Sequence, residues 1–274
     1  MRLKVARRMN KLMIRKFILS VSGLAWAGTA SADLALNMPK GVTELSAETY
    51  GIHMLAFWWC VGIGVLVFGA MIWSLIRHRK SRGVKPADFS HSTAAEVIWT
   101  TIPCFILLFM AVPAAETMIK LEDARNPDLS IVVTGYQWRW HYKYQDQDIE
   151  FYSSLALPSL QARPKQSGID PYDVENYLLE VDNPLVVPVG AKVRILLTSN
   201  DVVHAWWVPE LAIKKDAVPG IINETWFKTD IAGTYRGQCA ELCGKDHGYM
   251  PVVVEVLEAD AYASWVAEKV GSSN

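Results

Sequence analysis

Cysteine is scarce in this chain, with 4 among 274 residues. That is too few for a disulfide scaffold. Charged residues make up only 20% and hydrophobic residues 51%, which excludes a disordered chain. The apolar share is still too small for a polytopic transporter. There is no net basic excess (27 Lys plus Arg against 28 Asp plus Glu), so nothing in the charge suggests a nucleic-acid partner. Internal repeats and low-complexity tracts are missing as well. Tryptophan is plentiful, 11 residues, which suits interfacial anchoring or an electron-transfer surface. A membrane segment joined to a soluble domain is the class left standing.

The near-zero net charge of −1 hides two opposed parts. Residues 1–121 carry 14 basic and 6 acidic side chains, and residues 122–274 carry 13 and 22. Acids are absent from residues 1–32, where Arg2, Lys4, Arg7, Arg8, Lys11, Arg15 and Lys16 precede a short apolar stretch from Phe17 to Thr29. Ala30-Ser31-Ala32 then reads as a cleavage site, so 1–32 is expected to be a signal peptide of an exported bacterial protein. The alternative is an uncleaved first membrane helix, for which the apolar stretch is short.

Two uncharged runs follow, Met54–Ile76 and Val97–Ala115, long enough to span a bilayer. They predict transmembrane helices at about 50–76 and 95–119 within a hairpin at 33–121. Pro103 and Pro113 should kink the second helix. The loop between them holds Arg77, Arg79, Lys80, Arg82 and Lys85 against Asp88, which assigns it to the cytoplasm and the rest of the chain to the outer side. Cys60 and Cys104 within the runs read as small buried hydrophobes.

Residues 122–274 read as all-β. Ile131–Tyr144, Lys192–Ser199, Thr225–Asp230, Tyr235–Gln238 and Val252–Leu257 have strand composition. Ser153–Tyr177 reads as a long loop and Ala259–Val270 as a helix.

The densest chemistry is Cys239-Ala-Glu241-Leu-Cys243-Gly-Lys-Asp-His247-Gly-Tyr-Met250, with His204 upstream. Thiolates, a thioether and imidazoles together select copper. A disulfide between Cys239 and Cys243, or a zinc site, is the rival reading; Met250 argues against zinc. A second Cys beyond the single thiolate of a mononuclear copper site allows two thiolates to bridge two coppers, with one His terminal on each.

This motif, the upstream His, the hairpin and the strand Gly135-Tyr-Gln-Trp-Arg-Trp-His-Tyr resemble subunit II of the haem-copper cytochrome c oxidases. The resemblance implies a two-helix transmembrane hairpin plus an all-β cupredoxin (Greek-key β-barrel) domain on the periplasmic side of the bacterial inner membrane. It implies a dinuclear copper (CuA) centre bridged by Cys239 and Cys243. His204 and Met250 complete one copper; His247 and the Glu241 carbonyl complete the other. The Glu241 carboxylate matches a Mg2+ or Mn2+ ligand at the boundary with subunit I.

By the same resemblance, electrons come from cytochrome c, arrive through Trp138, and pass to haem in subunit I, where O2 becomes water with proton pumping. Subunit III and membrane lipid are further partners. Glu96 matches the acid at the mouth of a proton pathway, with His91 nearby; a helix N-terminal charge is the bland alternative. Asp146, Asp148, Glu150 and Asp201 are candidate docking acids for a cationic partner, or simply a solvated face. Lys143 stands where the family often has an acid, and Ile221 where it often has Arg. No C-x-x-C-H follows Met250, so a fused haem domain is not expected. A copper-free quinol oxidase subunit II and a membrane-anchored copper carrier are the competing functions.

Overall fold

A computed structural model of the chain describes residues 37–85, 88, 90–165 and 167–272. The expected signal peptide lies outside the described residues.

Helix α1 spans Glu44–Arg77 and α2 spans Thr93–Leu121. Both are long and apolar enough to cross a membrane. α1 starts six residues before the expected boundary because Thr43 and Ser46 form a reciprocal capping box. Its first turn docks on the soluble domain rather than in lipid. Leu45 and Ser46 are buried, Val42 N–H donates to Glu210 O (2.9 Å), and Thr229 Oγ1 donates to Val42 O (2.8 Å). α2 runs as one helix through Pro103 and Pro113. Cys60 and Cys104 are exposed, not buried. A two-helix hairpin encloses only its seam, so most apolar side chains of both helices face outward.

The soluble domain is two facing five-stranded sheets. Strands β1 (Leu129–Tyr136), β2 (Arg139–Tyr144), β3 (Ile149–Ser153), β5 (Val193–Ser199) and β8 (Asn223–Phe227) form one, in the order β3-β2-β1-β5-β8. Strands β4 (Leu185–Pro188), β6 (His204–Val208), β7 (Ile213–Ala217), β9 (Gly233–Cys239) and β10 (Pro251–Leu257) form the other, in the order β4-β10-β9-β6-β7. β1 runs parallel to β5, and β4 parallel to β10. This is the expected all-β domain. Alternation along the strands fills its core: Ile131, Val133, Trp140, Tyr142, Ile195 and Leu197 from one sheet meet Trp206, Val208, Val252 and Val254 from the other. The Tyr144 hydroxyl crosses between sheets, donating to Val186 O (2.6 Å) and accepting from Val186 N–H (3.1 Å).

The aromatic stretch Ile131–Tyr144 is two strands, not one. Gln137-Trp138 makes a two-residue turn between them, with a cis peptide bond. No Gly or Asn marks this turn in the sequence. The expected loop after β3 contains a short helix, α3 (Leu157–Ala162). Helix α4 (Ala259–Ser272) packs Trp265 on Tyr144 and Phe151.

Candidate metal centre

Three connections meet at one end of the sandwich: the Gln137-Trp138 turn, the β5–β6 loop and the β9–β10 loop. Cys239 is the last residue of β9 and His204 the first of β6. Trp206 pairs with Cys239 in register across β6 and β9. Ala240 N–H bonds Ala205 O (3.0 Å) and Cys239 N–H bonds Met250 O (2.9 Å). The sheet thus brings His204, Cys239 and Met250 together from three places in the chain.

Cys239 Sγ and Cys243 Sγ lie 3.8 Å apart, both thiols free and both buried. A disulfide would need about 2.05 Å, so the pair is open. Each sulfur has its own imidazole: His204 Nδ1 at 3.9 Å from Cys239 Sγ, and His247 Nδ1 at 3.5 Å from Cys243 Sγ. The Glu241 carbonyl oxygen is 3.3 Å from Cys239 Sγ. Met250 is buried in the same core cluster as both cysteines. The ligand atoms of His204, Cys239 and Cys243 all lie within 4.8 Å of one another, the one such metal-capable group among the described residues. Buried, unbridged soft donors with imidazole fit copper.

The surroundings hold these donors in place. Asp201 accepts from His204 Nε2–H at 2.9 Å, which in the neutral ring leaves the Nδ1 lone pair facing Cys239, free to ligate a metal. Its other carboxylate oxygen accepts Gln137 N–H at 2.7 Å. Asp201, expected on the docking surface, therefore turns to the imidazole from a tight loop three residues upstream. Gly135 clears space for the His204 ring; a Cβ there would come within 2.7 Å of His204 Cδ2. Gly244, at φ +114, lets the ligand loop approach the Gln137-Trp138 turn. Cys243 O accepts from Gln137 Nε2 (2.8 Å) and Trp138 Nε1 (3.3 Å).

Electrostatics follow from this packing. Burial opposes the Cys239 thiolate, but hydrogen bonds from His204 and from the Ala205 and Glu241 backbone outweigh it and lower the thiol. Burial, then the neighbouring Cys239 charge, pushes Cys243 up. Burial alone would lower His204; Cys239 and Asp201 outweigh it and raise the ring. Burial works against charge on Asp201 also, yet its bonds with His204, Val202 and Gln137 hold the carboxyl below the usual range.

The remaining predicted residues fall in separate places. Trp138 is half-buried in the turn beside Cys243, whereas Trp140 is wholly buried, its ring 5.9 Å from that of His204. Glu241 is exposed at the rim. Glu96 and His91 are exposed at the start of α2, the end of the hairpin away from the soluble domain. Asp146 and Asp148 occupy the β2–β3 tip, separated from Trp138 by the six residues of β2, about 20 Å of strand. Glu150 pairs with Lys143 at 3.2 Å. Gln137, Arg163 and Asp246, which line or support the same end, were not singled out as site residues by the sequence; for Asp246 the only available signal was its position inside the Cys-His-Met motif.

The comparisons agree with this architecture. Residues 31–117 match the family model "Cytochrome C oxidase subunit II, transmembrane domain", and residues 129–257 match "Cytochrome C oxidase subunit II, periplasmic domain". A probable cytochrome c oxidase subunit 2 of Rickettsia bellii is 40% identical over 83% of this chain and 81% of its own length. Cytochrome c oxidase subunit 2 of Cereibacter sphaeroides is 33% identical over 77% of this chain and 72% of its own. The crystal structure of the periplasmic domain of subunit II of cytochrome oxidase from Bradyrhizobium japonicum is 41% identical, covering 54% of this chain and 98% of its own, with a TM-score of 0.47. Together with the His-Cys-Cys cluster, the family supports copper as the metal. The chain belongs to the cytochrome c oxidase subunit II family: it is a membrane-anchored subunit of a haem-copper oxidoreductase, with a C-terminal soluble domain.

Proposed function

We propose that this chain receives electrons from cytochrome c for its oxidase, and that its centre holds two coppers. One observation carries the reading: two unbridged thiols 3.8 Å apart, each with a separate imidazole on its own side. Cys239 and Cys243 would bridge the pair, with His204 and Met250 on one copper and His247 and the Glu241 carbonyl on the other. Copper held there supplies reversible one-electron chemistry. The chain's own residues do the rest. Trp206 and Trp140 pack the base of the site and keep water out. Asp201 fixes the tautomer of His204. Trp138 connects the surface to the centre through one hydrogen bond, indole N–H to Cys243 O.

Glu241, exposed beside Cys243, is our candidate for a Mg2+ or Mn2+ ligand shared with subunit I. Glu96, at the opposite end of the hairpin, is our candidate for the mouth of a proton pathway in that subunit. Subunit III and lipid would surround the outward apolar faces of α1 and α2. Cytochrome c is proposed to dock around Trp138. Asp146 and Asp148, at the tip of the β2–β3 hairpin about 20 Å along the strand from Trp138, would meet such a partner at the edge of the contact. Residues 1–32 are proposed to be removed on export, 33–121 to anchor, and 122–274 to carry the centre. The matches over 31–117 and 129–257 support the anchor and the soluble part.

Copper reconstitution of the purified full chain tests the central claim. Two coppers per chain, with the visible absorption of a thiolate-bridged pair, are expected. A single copper or none would refute it.

A further inference from the structure

Between β3 and β4 the chain leaves the sheets for residues 154–184. This excursion folds back on itself: Ser154 N–H bonds the Asp182 carboxylate (2.7 Å), and Leu178 N–H bonds Ser159 Oγ (3.1 Å). Glu180 pairs with Arg236 of β9 (2.7 Å), which fastens the excursion to the second sheet. At the end of α3, Arg163 reaches out of it to the β9–β10 loop. Its guanidinium pairs with Asp246 and lies over the Tyr249 ring, 4.2 Å from the centroid. The side chains of both charged partners are largely covered, 30% exposed for Arg163 and 16% for Asp246.

The loop it grips has little to hold it otherwise. Residues 244–249 contain Gly244 and Gly248 and two backbone bonds of their own, His247 N–H to Gly244 O and Tyr249 N–H to Asp246 O. Upstream, Gln137 and Trp138 fasten Cys243 O. Downstream, Met250 O is fastened to Cys239. His247 lies between those anchors, flanked by the two residues that Arg163 engages. Arg163 also lines a cavity of about 190 Å³ with Trp138, Leu160 and Tyr249.

We infer that Arg163 is a positioning residue for the metal-ligand loop: through Asp246 and Tyr249 it holds His247 at Cys243 and steadies the pocket beside Trp138. This rests on the copper reading above, but its physical basis is the loop. A guanidinium suits the task because one rigid planar group pairs with a carboxylate through its edge and stacks on an aromatic ring through its face; an ammonium has no plane to stack. Metal–ligand distances tolerate only about 0.2 Å of error, so freeing a loop that carries one ligand weakens the whole site.

The test uses the full-length chain in detergent with Arg163→Ala, Arg163→Lys and Tyr249→Leu. With copper bound, Arg163→Ala should lower copper affinity in chelator competition by about ten- to a hundred-fold, the usual range for lost supporting groups around a metal, and alter the visible spectrum. Arg163→Lys should recover part of the retention, because the pair with Asp246 returns without the stack. Tyr249→Leu should show an intermediate loss. In the copper-free chain, Arg163→Ala should speed amide hydrogen exchange in residues 244–250 while the strands keep their protection. That second arm is independent of metal. Should the parent chain take up no copper pair, the proposed function fails and the exchange comparison alone decides the role of Arg163. An Arg163→Ala chain with parental exchange in 244–250 overturns the inference, as does one with parental copper retention and spectrum.

Discussion

Gly135→Ala tests the site through a single methyl group. Gly135 lies in β1, in register with Trp140 on one side and Ser199 on the other. Its carbonyl also accepts Asn200 N–H at 3.0 Å. The backbone at 135 is therefore pinned from two strands and cannot swing away. A Cβ there would stand 2.7 Å from His204 Cδ2 and 3.0 Å from Cγ. Carbon atoms in contact sit at about 3.5–4.0 Å, so the ring must retreat by about 0.8 Å or more. Retreat is blocked, because Trp140 packs edge-on to the ring and Asp201 holds Nε2. A shift of that size is several times the roughly 0.2 Å tolerance of a metal–ligand bond. Overpacking of this kind costs about 1–3 kcal/mol. At about 2–4 °C per kcal/mol for a domain of this size, the copper-free melting point should drop by several degrees. The assay is copper content and visible spectrum of the reconstituted chain, with thermal unfolding of the copper-free form. Gly248→Ala is the control, since nothing lies within 4 Å of its added Cβ. If Gly135→Ala keeps the parental spectrum, copper content and melting point, the close-packing argument is wrong.

Asp201→Asn should lower copper affinity by about ten- to a hundred-fold, measured by chelator competition, because the partner that orients His204 loses its charge. Trp138→Phe, compared with the parent at matched copper loading, should slow stopped-flow reduction by cytochrome c, since the indole N–H to Cys243 O is lost; an unchanged rate would remove Trp138 from the route. Asp146→Asn with Asp148→Asn should weaken the ionic-strength dependence of that reduction only slightly, given their place at the tip of the β2–β3 hairpin; an unchanged dependence would remove them from the docking surface. The copper-free chain should be most stable near pH 9 relative to a Cys239→Ser, Cys243→Ser variant. Cys239 is lowered from 9.0, so its contribution is present above pH 9 and lost as pH falls through the folded pKa. Cys243 is raised from 9.0, so its contribution is present below pH 9 and lost as pH rises through the folded pKa. Urea unfolding from pH 7 to 10 measures this, and a flat difference between the two chains would contradict it.

Some features were legible because they depend on local composition. The apolar runs around Met54–Ile76 and Val97–Ala115 announce helices, since a bilayer demands length and apolarity whatever the neighbours. The Cys239–Met250 motif announces copper, since donor softness belongs to the side chains themselves. Other features depend on partners far along the chain. Strands β3, β4, β6 and β7 escaped composition, being short and set by pairing. The Gln137-Trp138 turn carries no turn residue; Asp201 and Cys243, 64 and 106 positions downstream, bond it instead. Asp201 read as a docking acid, and it is still exposed, but only the fold shows its carboxylate bonded to His204; the place of Asp146 and Asp148 at the tip of the β2–β3 hairpin likewise comes from strand pairing.

The sequence alone thus determined the membrane anchoring, the all-β class of the soluble part and the His204, Cys239 and Cys243 side chains of the candidate copper site. Each follows from short-range pattern or from intrinsic chemistry. The tertiary structure decided how those side chains meet, which acid orients the histidine, which glycine makes room for it and which arginine holds the ligand loop. Such choices rest on ångström-scale contacts between strands and loops far apart along the chain, and sequence separation carries no measure of them.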